Sequence, residues 1–144
     1  MQTFITDTDF HKIAKTLDNK RLGKQRVEAM QILNTLNPDY TNKGWKHHPA
    51  VLMWEGYEST LRSYLSAMIK EWKSRGFKNT IEVKGSKSNK KPWWLCGKLI
   101  VSHRSNLIRK NPEFYSQYNW NLPDDIPYYW PVRWNNKKQK IVKN

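Results

Sequence analysis

Trp54, Tyr57, Leu61, Leu65, Met68 and Trp72 recur at intervals of three and four residues, the stripe of a helix with one buried face. Pro49 precedes the stripe, and proline is tolerated in a first helical turn. Arg75-Gly76 follows it, and glycine makes a natural C-cap. The pattern predicts one helix of roughly 26 residues from Pro49 to Arg75, ~39 Å long at 1.5 Å per residue. A chain of 144 residues has room for one core, so this helix is expected to be the central strut of a single domain.

A second helix is expected from Asp18 to Leu36, ending at Asn37 because proline at position 38 disfavours helical geometry in the residue before it. Its outward face is basic and carries a lone carboxylate. At 100° per residue Glu28 lies within about 20° of Arg21 and 40° of Lys24, while Leu22, Ala29 and Leu33 cluster opposite. Two readings fit Glu28. It can pair with Lys24 on a solvated face, as most helical glutamates do. It can also serve as a general acid/base, kept ionised by the cations around it beside a phosphate. Arg21, Lys24 and Arg26 most simply contact phosphates, though Arg26 sits on the apolar flank and equally suits a paired, partly buried arginine.

The rest of the chain supports an all-α architecture: three main helices, short helices and long irregular loops, without a regular sheet. Met1–Ile5 reads as extended, and Thr6-Asp7-Thr8-Asp9 offers N-caps for a short helix carrying Phe10, Ile13, Ala14 and Leu17. Lys78–Lys91, rich in Lys, Gly, Ser and Asn, reads as a mobile basic loop. A third main helix follows Pro92-Trp93-Trp94 and ends before Pro112. Tyr115–Trp134, punctuated by Pro123, Pro127 and Pro131, is expected to wrap irregularly over the helices. The domain boundary falls at residue 134, with 135–144 a frayed basic tail.

Charge narrows the partner. Twenty-six basic against 12 acidic residues give a formal net charge of +14, spread along nearly the whole chain. Lysine and arginine gain by displacing condensed counterions from phosphates, so nucleic acid is the first partner to consider and a membrane surface the competitor. The 8 Trp, 7 Tyr and 4 Phe add base-stacking capacity, although most of these rings are expected to be core. Cys96 is the single cysteine, which excludes an intrachain disulfide and suits a reducing compartment. No apolar run reaches membrane-spanning length and no signal-peptide pattern opens the chain. A soluble, intracellular protein is expected.

His47-His48 has no cysteine or acid partner at metal-ligand spacing, so no metal site is expected. His48 can cap the strut helix or face DNA. His103-Arg104, among Ser102, Ser105, Asn106 and Arg109, reads either as a hydrogen-bonding, cationic cluster or as a satisfied core histidine beside surface arginines. A phosphate-cradling glycine loop, a deaminase HxE…CxxC pattern and a GxSxG elbow are all absent. Any enzyme built from this chain must use water, a lysine or its own amino terminus.

Taken in order, these pieces resemble the pyrimidine-dimer DNA glycosylase/AP lyases of the phage endonuclease V type. The likeness runs over roughly Met1–Tyr118. It is carried by the short N-terminal segment, the basic helix with its glutamate at Leu22–Glu28, Lys73-Ser74-Arg75-Gly76-Phe77, and Asn111-Pro112-Glu113-Phe114-Tyr115. It is nearer to a branch other than the phage enzyme's own. The resemblance implies an all-α fold and a bifunctional mechanism without metal or cofactor. The N-terminal α-amine attacks C1′ of the damaged nucleotide, and the resulting Schiff base permits β-elimination. By position the assisting glutamate is Glu28. An α-amine titrates at about 7.7–8.0, so it is substantially neutral at physiological pH, unlike an ordinary lysine.

This sequence departs from the family pattern in two places. Gln2 is bulky enough to block removal of the initiator methionine, so the nucleophile is expected to be the amine of Met1. The family's basic residue before the glutamate is Val27 here, and the arginine one turn later is Gln31 or Ile32. The phosphate clamp must then be rebuilt, with Arg21, Lys24, Arg26, His48, His103 and Arg104 as the DNA-binding candidates. The expected activity is monomeric, metal-independent excision of damaged or modified pyrimidines from double-stranded DNA, with strand cleavage at abasic sites. The alternative is a non-catalytic DNA- or RNA-binding module.

Overall fold

A computed structural model describes the whole chain, Met1–Asn144. After a start without regular structure come α1 (Phe10–Thr16), α2 (Asn19–Leu36), α3 (Pro49–Leu52), α4 (Glu58–Ser74), α5 (Gly97–Lys110) and α6 (Pro112–Tyr115). A 3-10 turn at Ser116–Tyr118 leads into an irregular stretch, and β1 (Val132–Asn135) and β2 (Lys140–Lys143) close the chain. The protein is broadly all-α, as its sequence implies. Asp9 caps α1 by accepting the His11 and Lys12 N–H groups at 2.9 and 3.2 Å. α2 stops at Asn37, one residue before Pro38.

The predicted 26-residue strut is two helices. α3 ends at Leu52 and α4 restarts at Glu58. Gly56 lies between them at φ 84°, a conformation that L side chains rarely adopt, and its N–H is taken by Glu58 Oε1 at 3.0 Å. The apolar spacing runs unbroken through the interruption, which is why periodicity alone joins the two helices. Trp54, in the connecting turn, is fully buried and meets Trp94 edge-to-face at 4.9 Å.

α2 and α4 lie side by side, and Gly23 makes their close approach possible. A Cβ there would stand 2.9 Å from Trp72 Cη2. Above and below this pair the core gathers 22 buried hydrophobic residues from Phe4 to Val132, with Trp54, Trp94, Tyr64 and Tyr115 its largest members. Burying side chains of this size contributes about 1.5–3 kcal/mol each.

Two segments differ from the sequence reading. Lys78–Lys91 has no helix or strand, yet it is fastened along α4. Trp72 donates to the Lys78 carbonyl at 3.0 Å, Arg62 to Ser86 at 3.1 Å, Ser63 to Ser88 at 2.8 Å and Thr60 to Lys90 at 2.7 Å. The chain end, expected as a frayed tail, is the second strand of an antiparallel hairpin pairing Val132 with Lys143 and Asn135 with Lys140. Its solvent-facing lysines hide the alternation that marks a strand. Trp134 is stacked on His47 at 3.8 Å, and Lys143 lies over the Trp93 ring at 4.4 Å. No helix is long and apolar enough to cross a membrane.

Candidate active site

Residues 2–6 are buried but belong to no helix or strand. Buried main-chain N–H and C=O groups need partners, and here helix side chains supply them. Gln25 of α2 accepts the Phe4 N–H at 3.0 Å and donates to the Gln2 carbonyl at 2.9 Å. Tyr64 of α4 places its hydroxyl 2.9 Å from the Phe4 carbonyl and 2.6 Å from Gln25 Oε1. His103 of α5 accepts the Ile5 N–H at 2.8 Å, and Arg104 donates to the Thr6 carbonyl at 2.9 Å. The Trp54 indole N–H reaches the Thr3 hydroxyl at 3.0 Å. Three helices and the α3–α4 turn thus fix where the chain begins.

Met1 emerges from this cradle into a cavity of about 390 Å³. Glu28 faces it from α2, together with Lys20, Arg21 and Lys24; Lys110, Tyr128 and Trp130 close it from the far half of the chain. One carboxylate therefore stands among several cations and the α-amine. Partial burial raises the Glu28 carboxyl above the usual carboxylate range. The positive amino terminus, Lys24 and hydrogen bonding from the Gln2 N–H and the Gln25 amide oppose that rise. Gln25 Nε2 donates to Glu28 Oε2 at 3.0 Å.

Arg21 is aimed by a second network. It pairs with Asp18 at 3.3 Å, and Asp18 in turn accepts the Tyr115 hydroxyl. The Tyr115 phenol is pushed well up, by burial first and by Asp18 second. An Asp18-held Arg21 presents a fixed cation to the cavity, a geometry suited to phosphate.

A protein-family model described as pyrimidine dimer DNA glycosylase matches residues 1–85. The chain belongs to that family. No curated protein and no solved structure matches it. The matched span holds Met1, Lys20, Arg21, Lys24, Gln25, Glu28 and Tyr64, whereas Lys110, Tyr128 and Trp130 reach the same cavity from outside it.

The candidates named from sequence divide into three groups. Met1, Glu28, Arg21 and Lys24 meet in the cavity. His48 stands one ring away: its Nδ1 caps α3 by accepting the Ala50 N–H at 3.0 Å, and its ring lies edge-on to Trp130 at 5.6 Å. That acceptor role leaves the proton on Nε2 in the neutral ring. Burial, then the charge of the amino terminus, lowers its pKa. Arg26, His103 and Arg104 are engaged with the protein itself, away from the cavity, in line with the paired-arginine reading of Arg26 and the core-histidine reading of His103. Arg26 lies over Trp72 at 4.4 Å and donates to Asn79 at 2.7 Å. His103 has no exposed surface, and Arg104 lies over Trp120 at 5.1 Å while holding Thr6.

Gln25, Tyr64, Lys20, Lys110, Tyr128 and Trp130 are not among the site candidates that the sequence offers. Gln25 carried a usable signal: a polar residue three positions before Glu28, in register with the apolar stripe. The last three are brought in by tertiary folding from more than 80 residues beyond Glu28, and no local pattern points to them.

Proposed function

We propose that this family member is a DNA glycosylase with AP-lyase activity, acting on damaged or modified pyrimidines in duplex DNA through an imine at its own amino terminus. The observation that carries the reading is the convergence of the Met1 amine, the single carboxylate Glu28 and the cations Lys20, Arg21, Lys24 and Lys110 around one cavity.

In this scheme the cations hold the phosphates flanking a displaced nucleotide. The neutral Met1 amine attacks C1′. The C1′–N bond breaks, and the base leaves with the bonding electrons and takes up a proton. Opening of the sugar ring yields a protonated imine between Met1 and C1′. Glu28, ionised and beside it, stabilises that positive charge. Removal of a C2′ proton then expels the 3′ phosphate by β-elimination, and water releases the enzyme. No metal or cofactor enters, and one chain supplies every group.

A duplex with a single abasic site, incubated with borohydride, tests this directly. Wild type is expected to form a covalent adduct and to nick the strand. Glu28→Gln is expected to bind the same duplex with unchanged affinity and to lose turnover. Tight binding by wild type without adduct or nicking would return the chain to a non-catalytic binding module.

A further inference from the structure

Gln25 is 1% exposed and uses its whole amide. Oε1 accepts from the Phe4 N–H at 3.0 Å and lies 2.6 Å from the Tyr64 hydroxyl; Nε2 donates to the Gln2 carbonyl at 2.9 Å and to Glu28 Oε2 at 3.0 Å. A primary amide has two donor hydrogens and two acceptor lone pairs. Both hydrogens and one lone pair are engaged, the second lone pair faces the Tyr64 hydroxyl, and the arrangement has a direction. The Phe4 N–H can only donate, so Oε1 must face it, and Nε2 is thereby turned toward Glu28.

We propose that Gln25 is a positioning residue that sets the separation between the Met1 amine and the Glu28 carboxylate, with Tyr64 locking its amide in the productive orientation. The inference rests on the imine reading of this site. One side chain grips the main chain on both sides of Thr3 and grips the carboxylate as well, so the amine and the acid cannot drift apart independently. The Tyr64 hydroxyl, wholly buried in the core, has one hydrogen to give, with Gln25 Oε1 at 2.6 Å and the Phe4 carbonyl at 2.9 Å as its acceptors, and it ties the clamp to α4. Gln25 touches neither sugar nor base in this scheme. It acts through Met1 and Glu28.

The other titratable groups around Glu28 are the α-amine, Lys20, Arg21, Lys24, Lys110, Tyr64 and Tyr128, and Gln25→Leu leaves them all in place. Two readouts test the role. Carbon-13 titration of the Glu28 carboxyl is expected to move to higher pH in Gln25→Leu, because a donor to the ionised form is gone. In abasic-site cleavage kcat is expected to fall about 100-fold, as a misplacement near 1 Å would cause, with KM for duplex unchanged and the acid limb shifted upward. A folded Gln25→Leu with wild-type titration and wild-type kcat overturns the proposal.

If Gln25→Leu does not fold, Tyr64→Phe decides. It leaves the contacts to Phe4, Gln2 and Glu28 but removes the hydroxyl that braces the amide oxygen against α4, and kcat is expected to fall about tenfold at constant KM. Wild-type kcat in that variant overturns the proposal. Should wild type trap no adduct while the Glu28 titration still moves in Gln25→Leu, the imine reading fails and the clamp stands.

Discussion

Both ends of this chain lie outside its helices, and they are held by opposite means. At the C-terminus β1 and β2 satisfy each other's main chain, in a register set by their own pairing. At the N-terminus residues 2–6 have no strand partner, and Gln25, Tyr64, His103 and Arg104 do the work a neighbouring strand would do. A hairpin tolerates almost any outward-facing side chain, because its hydrogen bonds are main-chain. A segment held by side chains from α2, α4 and α5 is specified residue by residue. That arrangement costs tolerance to mutation, and it fixes one atom, the α-amine, against one carboxylate.

The largest effect should come from moving that atom. One residue added ahead of Met1 shifts the amine by up to about 3.6 Å and is expected to abolish adduct formation, read by borohydride trapping, without altering duplex affinity. The same residue added after Asn144 should change nothing. Equal trapping by both extended chains would erase the distinction between the ends.

Glu28→Gln comes next, with turnover expected to fall 10²–10⁴-fold, about what loss of a positioned acid/base gives. Stability should move the other way. A carboxyl whose pKa is raised on folding stabilises only while protonated, and that contribution is lost as pH rises. At neutral pH the ionised group opposes folding, so Glu28→Gln is expected to melt no lower than wild type. A marked loss in its Tm would show that Glu28 is structural.

Acid should loosen the N-terminal cradle before the hairpin. Burial pushes His103 down to about 3, whereas an unfolded histidine titrates near 6.5. The neutral ring that accepts the Ile5 N–H therefore contributes fully above about pH 6.5 and is lost as pH falls toward 3. The span is on the order of 3–5 kcal/mol. Hydrogen exchange is expected to lose protection at Ile5 across this window, while amides from 132 to 143, where only Lys and Arg carry charge, hold theirs. Uniform loss would mean that the ends are not independent.

The smallest effect lies in the hairpin turn, where Gln139 sits at φ 50°. Gln139→Gly removes the left-handed strain and adds unfolded-chain entropy, a net stabilisation of about 0.5 kcal/mol in denaturant melts. Cleavage should not change.

How much of this was legible beforehand follows from the same contrast. The cap at Asp9, the stop at Pro38 and the shared face of Arg21, Lys24 and Glu28 are local, and periodicity and capping chemistry reveal them. The break at Gly56 is local too, but an unbroken apolar stripe masks it. The cradle is not local. Nothing near His103 or Arg104 indicates that their partners are carbonyl and amide groups about 98 residues away, so the sequence leaves a cationic cluster and a satisfied core histidine equally open. The importance of Gln25 lies in four partners, of which only Glu28 is a sequence neighbour.

The most direct test of the central claim is the location of the trapped adduct. The cavity offers the Met1 amine and the side chains of Lys20, Lys24 and Lys110. Peptide mapping by mass spectrometry after borohydride reduction on an abasic duplex distinguishes them. The account predicts the modification on the Met1 α-amine. An adduct on any of those lysines, with Met1 free and unmodified, would contradict it.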